Sequence, residues 1–148
     1  MPYNILDIAQ WFLSKESMTP KKLQKLTYYA EAWSNALFER PLISDDNFEA
    51  WVHGPVSPKL YNEYRKHKWQ EIPEKEDNSS LFNDEDLDLL ESVWVTYGHN
   101  SANDLEALTH TEAPWRNARA GLNDDESSNN VISTEDMKNY YSRIYIGD

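Results

Sequence analysis

Apolar residues return at helical spacing several times along the chain, and each recurrence is bounded by residues able to cap a helix. Ile5, Ile8, Ala9, Phe12 and Leu13 share one face behind Asn4, whose side chain can cap, with Asp7 in the first turn. This spacing predicts an amphipathic core helix. Trp11 lies off its stripe and is a candidate for a contact elsewhere. Thr19 followed by Pro20 predicts a second helix start, since proline at the first helical position lacks only an N–H that would go unpaired anyway. Leu23, Leu26, Thr27, Ala30, Trp33, Ser34 and Leu37 form one face of that helix, while Tyr28, Ala32 and Ala36 leave the opposite face small and aromatic rather than charged. Two such faces predict a central helix, over about Lys22–Phe38, packed on both sides.

Pro41 ends that run. In "PLISDDNFEAWV", β-branched and aromatic residues flank Asp45-Asp46-Asn47, which predicts a short strand pair around that step and a small sheet near Phe48–Val52, ended by Gly54-Pro55. Ser57-Pro58 repeats the cap-then-proline start and predicts a third helix to about Lys68, its "YRKHK" end placing cations where the helix dipole favours them. "WQEIP" is a candidate for one more short strand, and "PEKEDNSS" is a polar loop. Asn83 or Asp84 opens a fourth helix with Leu87, Leu90, Val93, Trp94 and Tyr97 on its buried face, and Gly98 is expected to be left-handed just past its end. Ser101 and Asp104 have capping-box spacing ahead of Leu105 and Leu108. Pro114 then interrupts, "PWRNAR" is expected to make another turn, and "NDDESSNN" a mobile acidic loop. Ser133 and Asp136 begin a last helix that turns Met137, Tyr140, Tyr141 and Ile144 inward. There is no internal repeat and no linker. The expected fold is mainly α: one compact helical domain over residues 1–148, with five to seven helices around a central one and a small β-hairpin or short sheet.

Composition narrows the function. The 148 residues include six Trp, nine Tyr and four Phe at a mean hydropathy of −0.82, so some aromatic surface is expected to stay near the outside. The chain has no cysteine, which removes disulfides, thiol catalysis and Cys-type zinc sites together. "MPYNILDIAQWF" lacks the basic start and apolar run of a secretory signal, and a cytoplasmic location is expected. The net charge is −12, which repels phosphate backbones and suits a basic partner. A helix-turn-helix around Gly98 fits poorly, because its second helix, "SANDLEALTH", carries two acids and no Arg or Lys. No DNA binding is expected.

Catalytic motifs are missing. The four glycines are isolated, so no phosphate-binding loop is present. His53, His67, His99 and His110 lack metal-ligand spacing, and no nucleophile elbow occurs. No metal, cofactor or catalytic set is expected, although an enzyme using His53 and His110 stays open as an alternative because catalytic groups need only meet in space. Lys21, Lys22 and Lys25 cluster at the wrong end of a helix dipole, which calls for some other reason for them.

Three segments, "MTPKKLQKLTYYAEAW", "FEAWVHGPVSPKLYNEY" and "LTHTEAPW", occur in the order and spacing of the Panacea domain. The chain resembles that family, which includes SocA-like antitoxins and GepA-like phage-associated proteins, from about Ile5 to Tyr141. The resemblance implies an antitoxin that binds and neutralises a toxin encoded beside it. An adaptor that delivers its toxin to a protease is the alternative. The expected partner surface joins Lys21, Lys25 and Tyr28 on one face of the second helix to the rim of the Trp51–Ser57 turn, which includes His53. Tyr28 has a competing role as a packed residue of a central helix. Gly54, Pro55, Pro58, His110, Pro114 and Trp115 are expected to be architectural, and Trp51 to pack against the second helix.

Overall fold

The computed structural model describes residues 2–145. Among these are seven α-helices, six of them arranged about one long helix, and a single two-stranded sheet. Helix α1 (Ile5–Leu13) begins where Asn4 accepts the Leu6 N–H. Helix α2 (Pro20–Phe38) begins where Thr19 accepts the Lys22 N–H, and it packs against α1, the sheet and most of the other helices. Both faces of α2 are covered, as the two-faced pattern requires: Leu23, Leu26 and Ala30 are buried, and so are Tyr28, Tyr29 and Ala32. The left-handed residue that ends α2 is Glu39, at φ 55°.

The sheet consists of β1 (Glu49–Trp51) and β2 (Gly54–Val56), antiparallel, with Trp51 opposite Gly54. Its turn is therefore Val52-His53 and not the Asp45–Asn47 step. The aspartates serve the backbone instead: Asp45 accepts the Ile5 N–H at 2.9 Å and Asp46 the Lys59 N–H at 2.8 Å. Short polar side chains that bond nearby N–H groups compete with strand pairing in this way. Chain at 130–132 runs beside β1, with the Ala50 N–H donating to the Asn130 carbonyl and the Ile132 N–H to that of Phe48. "WQEIP" contributes only an isolated bridge, Ile72 to Met18.

Helix α3 (Pro58–Tyr64) is shorter than predicted. It tightens into a 3-10 turn over Arg65–His67, and Lys68 at φ 55° ends it. A second 3-10 turn, Ser79–Leu81, leads to α4 (Asp84–Tyr97), capped by Asn83. Gly98 is right-handed, at φ −65°, contrary to the expectation of a left-handed cap. Glycine is required there for space: a Cβ would stand 2.4 Å from Trp94 Cε3. Then follow α5 (Ala102–His110), α6 (Ala113–Ala118) and α7 (Thr134–Tyr145). Leu108 and Ile144 are more exposed than their spacing implied, while Met137 and Tyr141 are buried.

The fully buried tryptophan is Trp11, the one off the α1 stripe, and its Nε1 donates to Ser79 Oγ at 3.0 Å. Trp33 is only partly buried and donates to the Tyr97 hydroxyl at 2.9 Å. A polar cluster crosses the core beside it. Tyr29 from α2 and Tyr141 from α7 both donate to Glu112 Oε1, at 2.8 and 2.7 Å, and Tyr28 shares a hydrogen bond with Tyr141. Burial pushes the Glu112 carboxyl up to about 7 against the effect of its two hydroxyl donors.

Candidate functional site

The three segments singled out in the sequence meet at one place, the corner where the start of α2, the hairpin and the α5–α6 junction come together. Lys21, Lys22 and Lys25 sit on the first turns of α2, and each is a tie to another element. Lys22 Nζ donates to the Gly98 carbonyl at 2.6 Å. Lys21 forms an ion pair with Glu106 on α5 and donates to Asn103 at 2.9 Å. Lys25 runs inward, buried, and donates to the Pro55 carbonyl at 3.1 Å. These tertiary bonds answer for cations at the unfavourable end of the helix dipole.

Gly54 makes room for Lys25. It has φ +110°, a conformation that L side chains rarely adopt, and a Cβ there would lie 2.6 Å from Lys25 Cε and 3.1 Å from Thr109 Oγ1. The Gly54→Ala variant is expected to lose about 1–3 kcal/mol from backbone strain alone. Contact with Lys25 adds to that loss, so the same change in a Lys25→Ala background costs less. Urea unfolding of the four proteins in this cycle checks the coupling.

Glu106 is the hub of the corner. Besides Lys21 it meets His53, whose Nδ1 lies 3.0 Å from its Oε2, and it faces His110 Nε2 at 4.0 Å. Burial alone would raise the Glu106 carboxyl, but Lys21 and His53 outweigh it and hold the group below the usual carboxylate range. His110 is pushed down by burial and stacks on Trp115 at 3.9 Å, almost parallel. Trp115 Nε1 donates to the Trp51 carbonyl at 2.8 Å, which fixes α6 to the hairpin. Lys25 is pushed down to about 7 by burial and by the charge of Lys21, with Glu106 opposing.

A groove of about 250 Å³ opens beside this corner, between the start of α2, the hairpin and α3. Trp51 lies on its wall, half-buried, with its ring edge-on to Tyr61 of α3 at 5.0 Å; it does not pack inside against α2 as expected. A shallower hollow of about 500 Å³ lies against Val52 and His53 as well, bordered by Ser127, Ser128 and Asn129. Tyr61 is 42% exposed and Trp69, next to Lys68 at the groove, is 85% exposed.

The model of the family described as antitoxin SocA-like, Panacea domain, matches residues 23–116, more than half of the 148-residue chain. The chain belongs to this family. Neither a curated protein nor a solved structure matches it significantly. The Panacea-domain match takes in the hairpin, α3 and Glu106, and ends at the residue after Trp115.

Of the six residues that the sequence assigns to a partner surface, Lys21, Trp51 and His53 reach the rim. Lys25, Tyr28 and Ser57 do not, because each is at most 1% exposed. Tyr28 lies edge-on to Tyr29 and Phe48 and bonds to Tyr141, so packing accounts for it. Ser57 exchanges backbone bonds with the Gln24 amide at 2.9 and 3.0 Å and caps α3. Pro55 and Pro114 are buried, and Pro58 is the first residue of α3.

Sequence reasoning missed Glu106 and Arg119. Glu106 had a legible signal: it stands four residues before His110 on one helical face, where side chains meet. Arg119 had none. It is buried, bonding the carbonyls of Ala50 and Asn123 at 2.9 Å each, with its guanidinium over the Trp115 ring. It thereby pins the acidic loop to the hairpin.

Proposed function

We propose that this protein is an antitoxin, that residues 1–148 work as one Panacea-type domain, and that it neutralises an adjacently encoded toxin by binding it directly. Family membership carries this reading. The hairpin corner supports a contact surface there, since the exposed Tyr61 and Trp69 and the rim residues Lys21, Trp51 and His53 offer aromatic area beside charge. Aromatic residues at a groove edge are the usual anchors of protein interfaces. No helix among the described residues is long and apolar enough to cross a membrane. A cytoplasmic location fits the neutralisation of an intracellular toxin and is part of the proposal.

The test is co-expression with the neighbouring gene. Growth arrest by that gene alone, relieved when this chain is present, is the expected result; arrest that persists overturns the reading. Toxin abundance separates the mechanisms. Direct binding leaves the toxin present in a complex, whereas delivery to a protease lowers its level until the protease is removed.

One observation favours a second reading, chemistry at the corner: His53 and His110 converge on the Glu106 carboxylate. A Glu106→Gln variant that still binds the toxin but no longer neutralises it would favour catalysis. Loss of both together fits a contact surface. Duplex DNA is not part of the proposal. With a net charge of −12, the purified protein is expected to leave a fragment of its own promoter unshifted in a gel at physiological salt.

A further inference from the structure

The groove beside the hairpin joins apolar and basic residues. The chain carries 26 acids against 14 Lys and Arg, yet none of the residues lining this groove is acidic. Its apolar lining comes from Leu23, Trp51, Val56, Leu60, Tyr61 and Tyr64, of which Trp51 and Tyr61 are the more exposed. Its basic residues are Lys21, Lys25 and Lys68, with His53 at the rim. The segment 58–68, from which Leu60, Tyr61, Tyr64 and Lys68 line the groove, carries Lys59, Arg65, Lys66 and Lys68 against the single acid Glu63.

Several basic groups elsewhere are already paired. Lys15, Lys22, Arg40 and Lys138 each meet a carboxylate, and so do Lys21 and Lys59 near the groove. Arg65, Lys66 and Lys68 are exposed and form no ion pair among the described residues. Lys25, 1% exposed, is committed inside to the Pro55 carbonyl and offers no charge at the groove surface.

We propose that this groove receives an acidic segment of a partner protein, with an aromatic or leucine side chain seated on the apolar floor and carboxylates meeting Lys68 and, beside Tyr64, Arg65 at the edge. The inference rests on the antitoxin reading for its partner and specifies the chemistry of the part that is gripped. Charge complementarity selects this occupant. A polyphosphate chain would meet the same cations, but it would have no use for the six apolar lining residues. A second copy of this chain could offer its own acidic loop, which makes self-association one of the outcomes to be measured.

The experiment uses the whole purified chain and no toxin. The probe is a short fluorescein-labelled peptide in which Trp and Leu alternate with Asp and Glu. Its controls are a twin with Lys at every acidic position and a labelled single-stranded DNA, all followed by fluorescence anisotropy. The acidic peptide is expected to bind, more weakly as salt rises, while the Lys twin does not. The surface variant Arg65→Glu/Lys68→Glu keeps the wild-type Tm and binds the acidic peptide at least tenfold more weakly. Equal binding of the two peptides, undiminished binding by the double variant, absence of binding, or binding of the DNA alone each overturns the proposal. So does acidic-peptide binding that disappears as the protein self-associates. Because the assay contains no toxin, its failure leaves the growth result standing, and a failure to rescue growth leaves the groove chemistry standing.

Discussion

Trp11→Ala unfolds at a markedly lower urea concentration than the wild type, with a loss of about 3–5 kcal/mol. The side chain is completely buried, edge-on to Phe12 at 5.2 Å, and Lys15 Nζ lies 4.6 Å from its ring. Truncation removes this packing and leaves a cavity that neighbours on α1 and the 79–81 turn can fill only in part. It also removes the indole donor from the Ser79 hydroxyl, which keeps only its bond to Asp77. Trp11→Phe keeps most of the volume and loses the N–H, so it is expected to fall between the two. The corresponding change at Trp33 costs less, since that ring is only partly buried. Equal losses at the two positions would show that burial does not set the ranking.

Glu112→Ala is damaging in a way that depends on pH. Without the carboxylate, the buried hydroxyls of Tyr29 and Tyr141 lose their acceptor, at about 1–3 kcal/mol each. The wild type has a cost of its own. Its Glu112 is pushed up to about 7 by burial, above the ordinary carboxylate value it has when unfolded. The folded state therefore holds the proton more tightly. The stability this gives is fully present below the unfolded value and is lost as pH rises to about 7. Each tenfold gain in proton affinity corresponds to about 1.4 kcal/mol, so the loss is on the order of 3 kcal/mol. Glu112→Ala is therefore most harmful near pH 5 and least harmful near pH 8. Glu112→Gln retains an oxygen for both hydroxyls and carries no charge, so it removes the slope between pH 4.5 and about 7. Glu31, also raised by burial, titrates in both proteins and cancels in the difference. Lys25 is held down in the folded state, so its contribution changes between about pH 7 and its ordinary value, above this window. Urea midpoints of wild type and both variants from pH 5 to 8 provide the check; parallel curves for wild type and Glu112→Gln would contradict it.

The helices were legible because their signals are local. Asn4, Thr19, Ser57, Asn83 and Ser101 all cap where the sequence implied, and the uncharged opposite face of α2 announced a helix covered on both sides. The hairpin was misplaced because Asp45 and Asp46 resemble turn residues, while their side chains bond the backbones of Ile5 and Lys59, far along the chain. The corner itself was only half legible. Its lysines, His53 and His110 stood out by residue type and position, but what joins them is Glu106, which looked like one acid among many. The burial of Lys25 was hidden for a related reason: a lysine goes inside only when something specific waits there, and here it is a carbonyl two elements away beside a glycine without a Cβ. Family resemblance located the segments, and packing gave them their roles.

The most direct test of a direct-binding antitoxin is hydrogen exchange on this chain, alone and in complex with the co-expressed product of the neighbouring gene. A stable complex is expected, in which exchange slows over residues 51–68, the hairpin rim and α3, and is unchanged over α4. Protection confined to α4 and α7, or a toxin that vanishes from cells instead of accumulating in a complex, would contradict direct binding at the hairpin corner.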